Sequence, residues 1–102
     1  MPRVRIAGTG DVAPGSGKTV EVQGRSIALF NVDGTFHAID NTCTHVGGPL
    51  GDGMLDGEIV SCPWHGAQFN VKTGEVLSPP AATPVACYPV LVEGDDVLVE
   101  LD

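Results

Sequence analysis

Three features of this 102-residue sequence predict an all-β fold. Glycine (14) and proline (8) punctuate the chain every few residues. The short runs between them are rich in β-branched residues and alternate with period two. No window of about a dozen residues holds the i, i+3, i+4, i+7 apolar spacing of an amphipathic helix. Strands are therefore expected at Val4–Ala7, Thr19–Gln23, Ser26–Val32, Thr35–Ile39, Glu58–Cys62, Gln68–Asn70, Cys87–Glu93 and Val97–Leu101. Gln23-Gly24-Arg25, Asp33-Gly34 and Gly94-Asp95-Asp96 read as tight turns between neighbouring strands. No repeat or long linker divides the chain, so residues 1–102 read as a single domain.

A chain of this size buries only a modest core, and a bound metal group would add stability that packing alone supplies sparingly. Acids outnumber bases 13 to 5, for a formal net charge of −8. That balance argues against nucleic acid and anionic membrane surfaces as partners and favours a basic partner face. No apolar run approaches the roughly 20 residues needed to span a bilayer. Met1 to Gly10 lacks the apolar stretch of a secretory signal, and three cysteines are too few and odd for a disulfide framework. The expectation is a soluble, cytoplasmic protein that works as a monomer.

The chemistry concentrates in two segments, Cys43-Thr44-His45 and Cys62-Pro63-Trp64-His65. They hold all but one of the cysteines and all but one of the histidines, spaced C-x-H-x16-C-x-x-H. Each offers one thiolate and one imidazole, and both fall where the strand pattern breaks. One intervening residue lets Cys43 and His45 point to the same side of an extended loop. Gly47, Gly48 and Gly66 leave room for backbone to bend closely around a bound group. Two such loops suit a two-iron cluster, with Cys43 and Cys62 on one iron and His45 and His65 on the other. A zinc site is the plainer reading of two Cys and two His, although structural zinc draws on C-x(2–4)-C and H-x(3–5)-H pairs. The prolines of Leu77-Ser78-Pro79-Pro80-Ala81 make a rigid loop suited to cover such a site.

At these loops the chain closely resembles a Rieske ferredoxin, in Cys43-Thr44-His45-Val46-Gly47-Gly48-Pro49-Leu50 and Cys62-Pro63-Trp64-His65-Gly66-Ala67-Gln68-Phe69. More narrowly, it is similar to the ferredoxin components of bacterial aromatic-ring-hydroxylating dioxygenase systems, from about Ile6 to Leu101. The resemblance implies an antiparallel β-sandwich with a cluster-binding loop subdomain at one end, carrying one Rieske [2Fe–2S] cluster per chain. It implies an electron carrier rather than an enzyme, shuttling single electrons from a flavin (FAD)-dependent reductase to a terminal oxygenase in aromatic hydrocarbon breakdown. The small Rieske-like subunit of an assimilatory nitrite reductase is the alternative. Histidine ligands lower the negative charge of the site relative to four thiolates, which places Rieske potentials at roughly −150 to +300 mV. High-potential Rieske proteins of cytochrome bc complexes carry an extra disulfide and two hydroxyl donors beside the cluster. Here the matching positions are Gly48, Trp64, Ala67 and Phe69, so the low end of that range is expected.

Other residues carry quieter readings. Between Arg25 and Lys72 stand five acids (Asp33, Asp40, Asp52, Asp56, Glu58) and no Lys or Arg, so the cluster end is expected to be an acidic docking face. His37 reads as a surface residue of a strand, Cys87 as a small buried hydrophobe, and Asp95, Asp96, Glu100 and Asp102 as a solvated end. Trp64 suits the core or a shield over the cluster. Gly15-Ser16-Gly17-Lys18-Thr19 hints at a phosphate-binding loop, but position 12 is Val and Val20-Glu21-Val22 alternates like a strand rather than opening a helix.

Overall fold

The computed structural model describes residues 3–41, 49–63, 67–78 and 85–101. Within them the chain forms eleven strands and one short 3-10 turn, with no α-helix. The strands are β1 (Arg3–Gly8), β2 (Ser16–Val22), β3 (Arg25–Val32), β4 (Thr35–Asp40), β5 (Met54–Asp56), β6 (Ile59–Ser61), β7 (Gln68–Asn70), β8 (Val76–Ser78), β9 (Cys87–Tyr88), β10 (Val90–Glu93) and β11 (Asp96–Glu100). The 3-10 turn, Leu50–Asp52, precedes β5. They build three antiparallel sheets, ordered β1-β11-β10, β2-β3-β4-β9 and β5-β6-β7-β8. The all-β expectation holds, and the small β5–β8 sheet is the subdomain at one end.

Strand β3 is the wall shared by two cores. Ile27 and Leu29 pack with Ala7, Val97, Val99 and Leu101 on one side. Ala28 and Phe30, pointing the other way, pack with Leu50, Val60, Phe69 and Val71. Because both faces are covered, Ile27-Ala28-Leu29-Phe30 reads as a continuous apolar run rather than an alternation. Its neighbours are joined by two-residue turns whose residues all have positive φ: Gln23 (51°) with Gly24 (77°), and Asp33 (52°) with Gly34 (93°). That left-handed pair matches the twist of the flanking strands and fixes their register.

The sequence reading missed β5 and β8, which at three residues each are too short to show a period. It also drew one strand from Cys87 to Glu93 where the structure has two. Pro89 has no N–H to give a ladder, and the chain changes sheets there: β9 pairs with β4, and β10 pairs with β11. Ser16 to Thr19 run along strand β2, which leaves no helix for a phosphate loop. The acidic end is solvated as expected, with Asp95 and Asp96 exposed, and two of its acids form surface ion pairs. Arg5 pairs with Asp96 at 2.7 Å and Arg3 with Glu100 at 3.4 Å, tying β1 to β11.

Candidate metal centre

Of the four predicted ligands, Cys62 lies within the described residues; Cys43, His45 and His65 lie outside them, as do Trp64, Gly47, Gly48, Gly66 and the Pro79-Pro80 cover. What the structure defines is the frame from which both ligand segments leave and to which they return. β4 leads to Asn41, and the chain re-enters at Pro49 and Leu50, where the Leu50 N–H donates to the Asn41 carbonyl at 2.6 Å. β6 leads to Cys62, and the Cys62 N–H donates to the Ala67 carbonyl at 2.7 Å, closing the second loop at its base. Leu50, Cys62 and Ala67 are buried in one cluster with Phe30, Val60, Phe69 and Val71. Packing therefore sets the two loop bases side by side, as one site requires.

Cys62 is 3% exposed, enclosed in the buried packing that joins the subdomain to β3. Ala67 and Phe69, fully buried beside it, present no hydroxyl to the site. A thiol in this setting favours a metal over bulk reactivity, because burial disfavours the free thiolate while coordination stabilises it. Cys62 is one donor of the kind that a [2Fe–2S] cluster of mixed thiolate and imidazole ligation takes. Among the described residues, no group of three or more His, Cys, Asp or Glu stands elsewhere as a metal site.

Around this frame lie braces that sequence reading passed over. The Tyr88 hydroxyl donates to the Asp40 carboxylate, and the Asp40 N–H donates to the Ala86 carbonyl at 2.9 Å, so β9 holds the end of β4 next to the first loop. Burial first, then Asp40, pushes the Tyr88 phenol above its ordinary pKa. Val85 is joined to Gly74, whose carbonyl accepts from the Val85 N–H at 2.9 Å. Asn41 is the other, with bonds in three directions. Nothing in the sequence marks Asn41, because its partners come from three distant segments.

Two readings of lesser residues need correction. Cys87 is exposed, on a two-residue strand at the edge of its sheet among the described residues. His37 is only half exposed: its Nε2 is buried without a hydrogen-bond partner, beneath the Lys72–Glu58 ion pair. Burial lowers its pKa below the ordinary 6.5, and the Lys72 charge adds to the effect.

The model of the Rieske [2Fe-2S] domain matches residues 3–89. The biphenyl dioxygenase ferredoxin subunit of Pseudomonas sp. strain KKS102 is 41% identical over 101 residues, covering 98% of this chain and 93% of that one. The Sphingomonas yanoikuyae B1 ferredoxin superposes with a TM-score of 0.93 at 33% identity, covering 99% of this chain and all of that one. A chain from the complex of reduced oxygenase and oxidised ferredoxin of carbazole 1,9a-dioxygenase superposes at 0.89 and 33% identity, covering 98% and 97%. A small subunit of a putative NADPH nitrite reductase superposes at 0.80 but is 23% identical, a likeness of fold alone.

The fold and the buried Cys62 frame define a Rieske [2Fe–2S] domain, and the chain belongs to that family. Within it, this is a ferredoxin of the ring-hydroxylating dioxygenase kind, an electron-transfer component rather than a catalytic enzyme. No helix of the described residues is long and apolar enough to cross a membrane.

Proposed function

We propose that Cys43 and Cys62 ligate one iron of the cluster and His45 and His65 the other, and that the chain is a single cytoplasmic domain working as a monomer. When bound, the cluster supplies a one-electron couple at the low end of the Rieske range. The observation that carries this reading is the common base of the two loops: Leu50, Cys62 and Ala67 share one buried cluster, so the segments bearing all four ligands spring from one point. The protein's own groups do the rest. The core fixes where the loops start and end, Phe69 and Ala67 keep hydroxyl donors away, and apolar packing around Cys62 keeps water from its sulfur.

The partners are a flavin-dependent reductase that loads the electron and a terminal oxygenase that receives it. Support for how they dock comes from the 3-10 turn and β5 of the subdomain. Asp52, Met54 and Asp56 are all exposed there, Met54 at 82%. Among the described residues neither aspartate has an ion-pair partner, whereas Glu58 has Lys72. A thioether between two unpaired carboxylates suits a surface that must fit two different basic partners in turn, since methionine adapts its shape at little cost.

The ligand set is tested with the other Cys and His as controls. Cys62→Ser, Cys43→Ser, His45→Ala and His65→Ala should each abolish the Rieske-type electron paramagnetic resonance (EPR) signal of the dithionite-reduced protein. Cys87→Ser and His37→Ala should keep it. A full signal from any of the first four, or a colourless wild-type protein loaded with zinc, would overturn the assignment.

A further inference from the structure

Among the described residues, two polar side chains are fully enclosed, Asn31 at 4% and Asn41 at 6% exposure. They sit at opposite ends of the β3–β4 hairpin. Asn31 closes the end away from the metal centre: its Nδ2 donates to the Val12 carbonyl at 2.8 Å, and its Oδ1 accepts from the Gly34 N–H at 2.7 Å. Asn41 closes the other end, and its bonds reach farther. Its Oδ1 accepts from the Gly51 N–H at 2.7 Å and from Thr19 Oγ1 at 3.1 Å, while its Nδ2 donates to Ser26 Oγ at 3.1 Å. Its backbone N–H donates to the Ser26 carbonyl at 3.0 Å, and its carbonyl accepts from the Leu50 N–H at 2.6 Å.

Two of these five bonds run to residues 50 and 51, on the far side of the segment 42–48. That segment contains Cys43 and His45. Its departure from the sheet and its return to the fold are thus held by one residue, and that residue is fixed to β2 through Thr19 and to β3 through Ser26. The fit is close enough to dictate the neighbour. A Cβ on Gly51 would lie 2.4 Å from Thr19 Oγ1 and 2.9 Å from Asn41 Oδ1.

We infer that Asn41 is a positioning residue of the metal centre: a clamp that fixes the two ends of the 42–48 segment and so sets the environment of whatever Cys43 and His45 hold. The Asn41 side chain is itself buried, with one buried and two part-buried bonds, and an unmade partner there is costly. Loss of the clamp lets the loop ends separate locally while the sheets persist, because β2, β3 and β4 remain paired along their length. This inference rests on the ligand assignment proposed above. The two fail differently, since failure of the assignment removes the Rieske signal from the wild-type protein itself.

Asn31 is the matched control, similarly buried, with one buried and one part-buried side-chain bond of its own, and at the other end of the hairpin from the loops. In the holoprotein, Asn41→Ala should shift the reduction potential, broaden the EPR signal and speed iron release to a chelator about tenfold relative to Asn31→Ala. Asn31→Ala should lower the thermal midpoint while leaving potential and spectrum at wild-type values. If Asn41→Ala does not accumulate as holoprotein, Thr19→Val with Ser26→Ala cuts two of the same bonds from the other side, with the same shifts in smaller measure. Potential, spectrum and iron release indistinguishable from wild type in the Asn41 variant, or in the Thr19/Ser26 variant if that is the one recovered, would reduce Asn41 to a structural residue and overturn the inference.

Discussion

Gly51→Ala is the sharpest test of the packing beneath the first loop. The added Cβ would lie 2.4 Å from Thr19 Oγ1, 2.7 Å from the Thr19 backbone nitrogen and 2.9 Å from Asn41 Oδ1. The hydroxyl can rotate away, at the loss of its bond to Asn41. The backbone nitrogen cannot move without disturbing the β2–β3 ladder, in which Thr19 faces Ala28. Overpacking of this kind costs about 1–3 kcal/mol. Two weakened hydrogen bonds, Gly51 to Asn41 and Thr19 to Asn41, add about 0.5–1.5 kcal/mol each. The sum is about 2–6 kcal/mol, which lowers the unfolding midpoint by at least about 8 °C in a domain this small. Thermal unfolding followed by circular dichroism measures it directly. Gly10→Ala is the control: no atom lies within 4 Å of its Cβ position, so that variant should match or slightly exceed wild type. A Gly51→Ala midpoint within about 2 °C of wild type would refute the reasoning.

Three further outcomes follow from the site and its surroundings. Because burial holds His37 below its ordinary pKa of 6.5, the unfolded chain takes the proton first; the resulting stability is full above that value and declines as pH falls through it toward the lower folded value. His37→Gln, which removes the imidazole beside Lys72, Glu58 and Cys87, should flatten that decline in urea midpoints between about pH 7.5 and 5, and an unchanged slope would count against it. Phe69→Tyr or Ala67→Ser restores a hydroxyl beside Cys62 and should raise the reduction potential by voltammetry, whereas an unchanged or lower potential would show that missing donors do not set it. Reduction of a basic haem protein such as cytochrome c should slow several-fold from low to physiological salt, and slow again in Asp52→Lys, Asp56→Lys and Met54→Lys, but not in Asp95→Lys on the far side; rates insensitive to salt and to these changes would sink the acidic docking face.

Much of this was legible in the chain because the relevant signals are local. The turns at Gln23-Gly24 and Asp33-Gly34 need positive φ, and Gly24, Asp33 and Gly34 announce it while Gln23 does not. The paired Cys/His spacing specifies its chemistry without any fold. What escaped depends on contacts between distant segments. Asn41 reads as an ordinary loop residue until Thr19, Ser26 and Gly51 are brought around it. Cys87 looked buried by composition but is exposed on the edge strand β9, and His37 looked exposed but is partly buried, with its Nε2 enclosed. Strands β5 and β8 are too short to carry a period, and the break at Pro89 shows as a change of sheet only once both sheets exist.

The central claim is that two histidines and two cysteines of this chain share one cluster. Pulsed electron paramagnetic resonance of the reduced protein, grown with nitrogen-15 histidine, addresses it most directly. Two strongly coupled nitrogens that change isotope with the label, and that disappear in His45→Ala and His65→Ala but persist in His37→Ala, are the predicted result. A reduced cluster with no coupled histidine nitrogen, or one whose couplings survive loss of His45 or His65, would contradict the account.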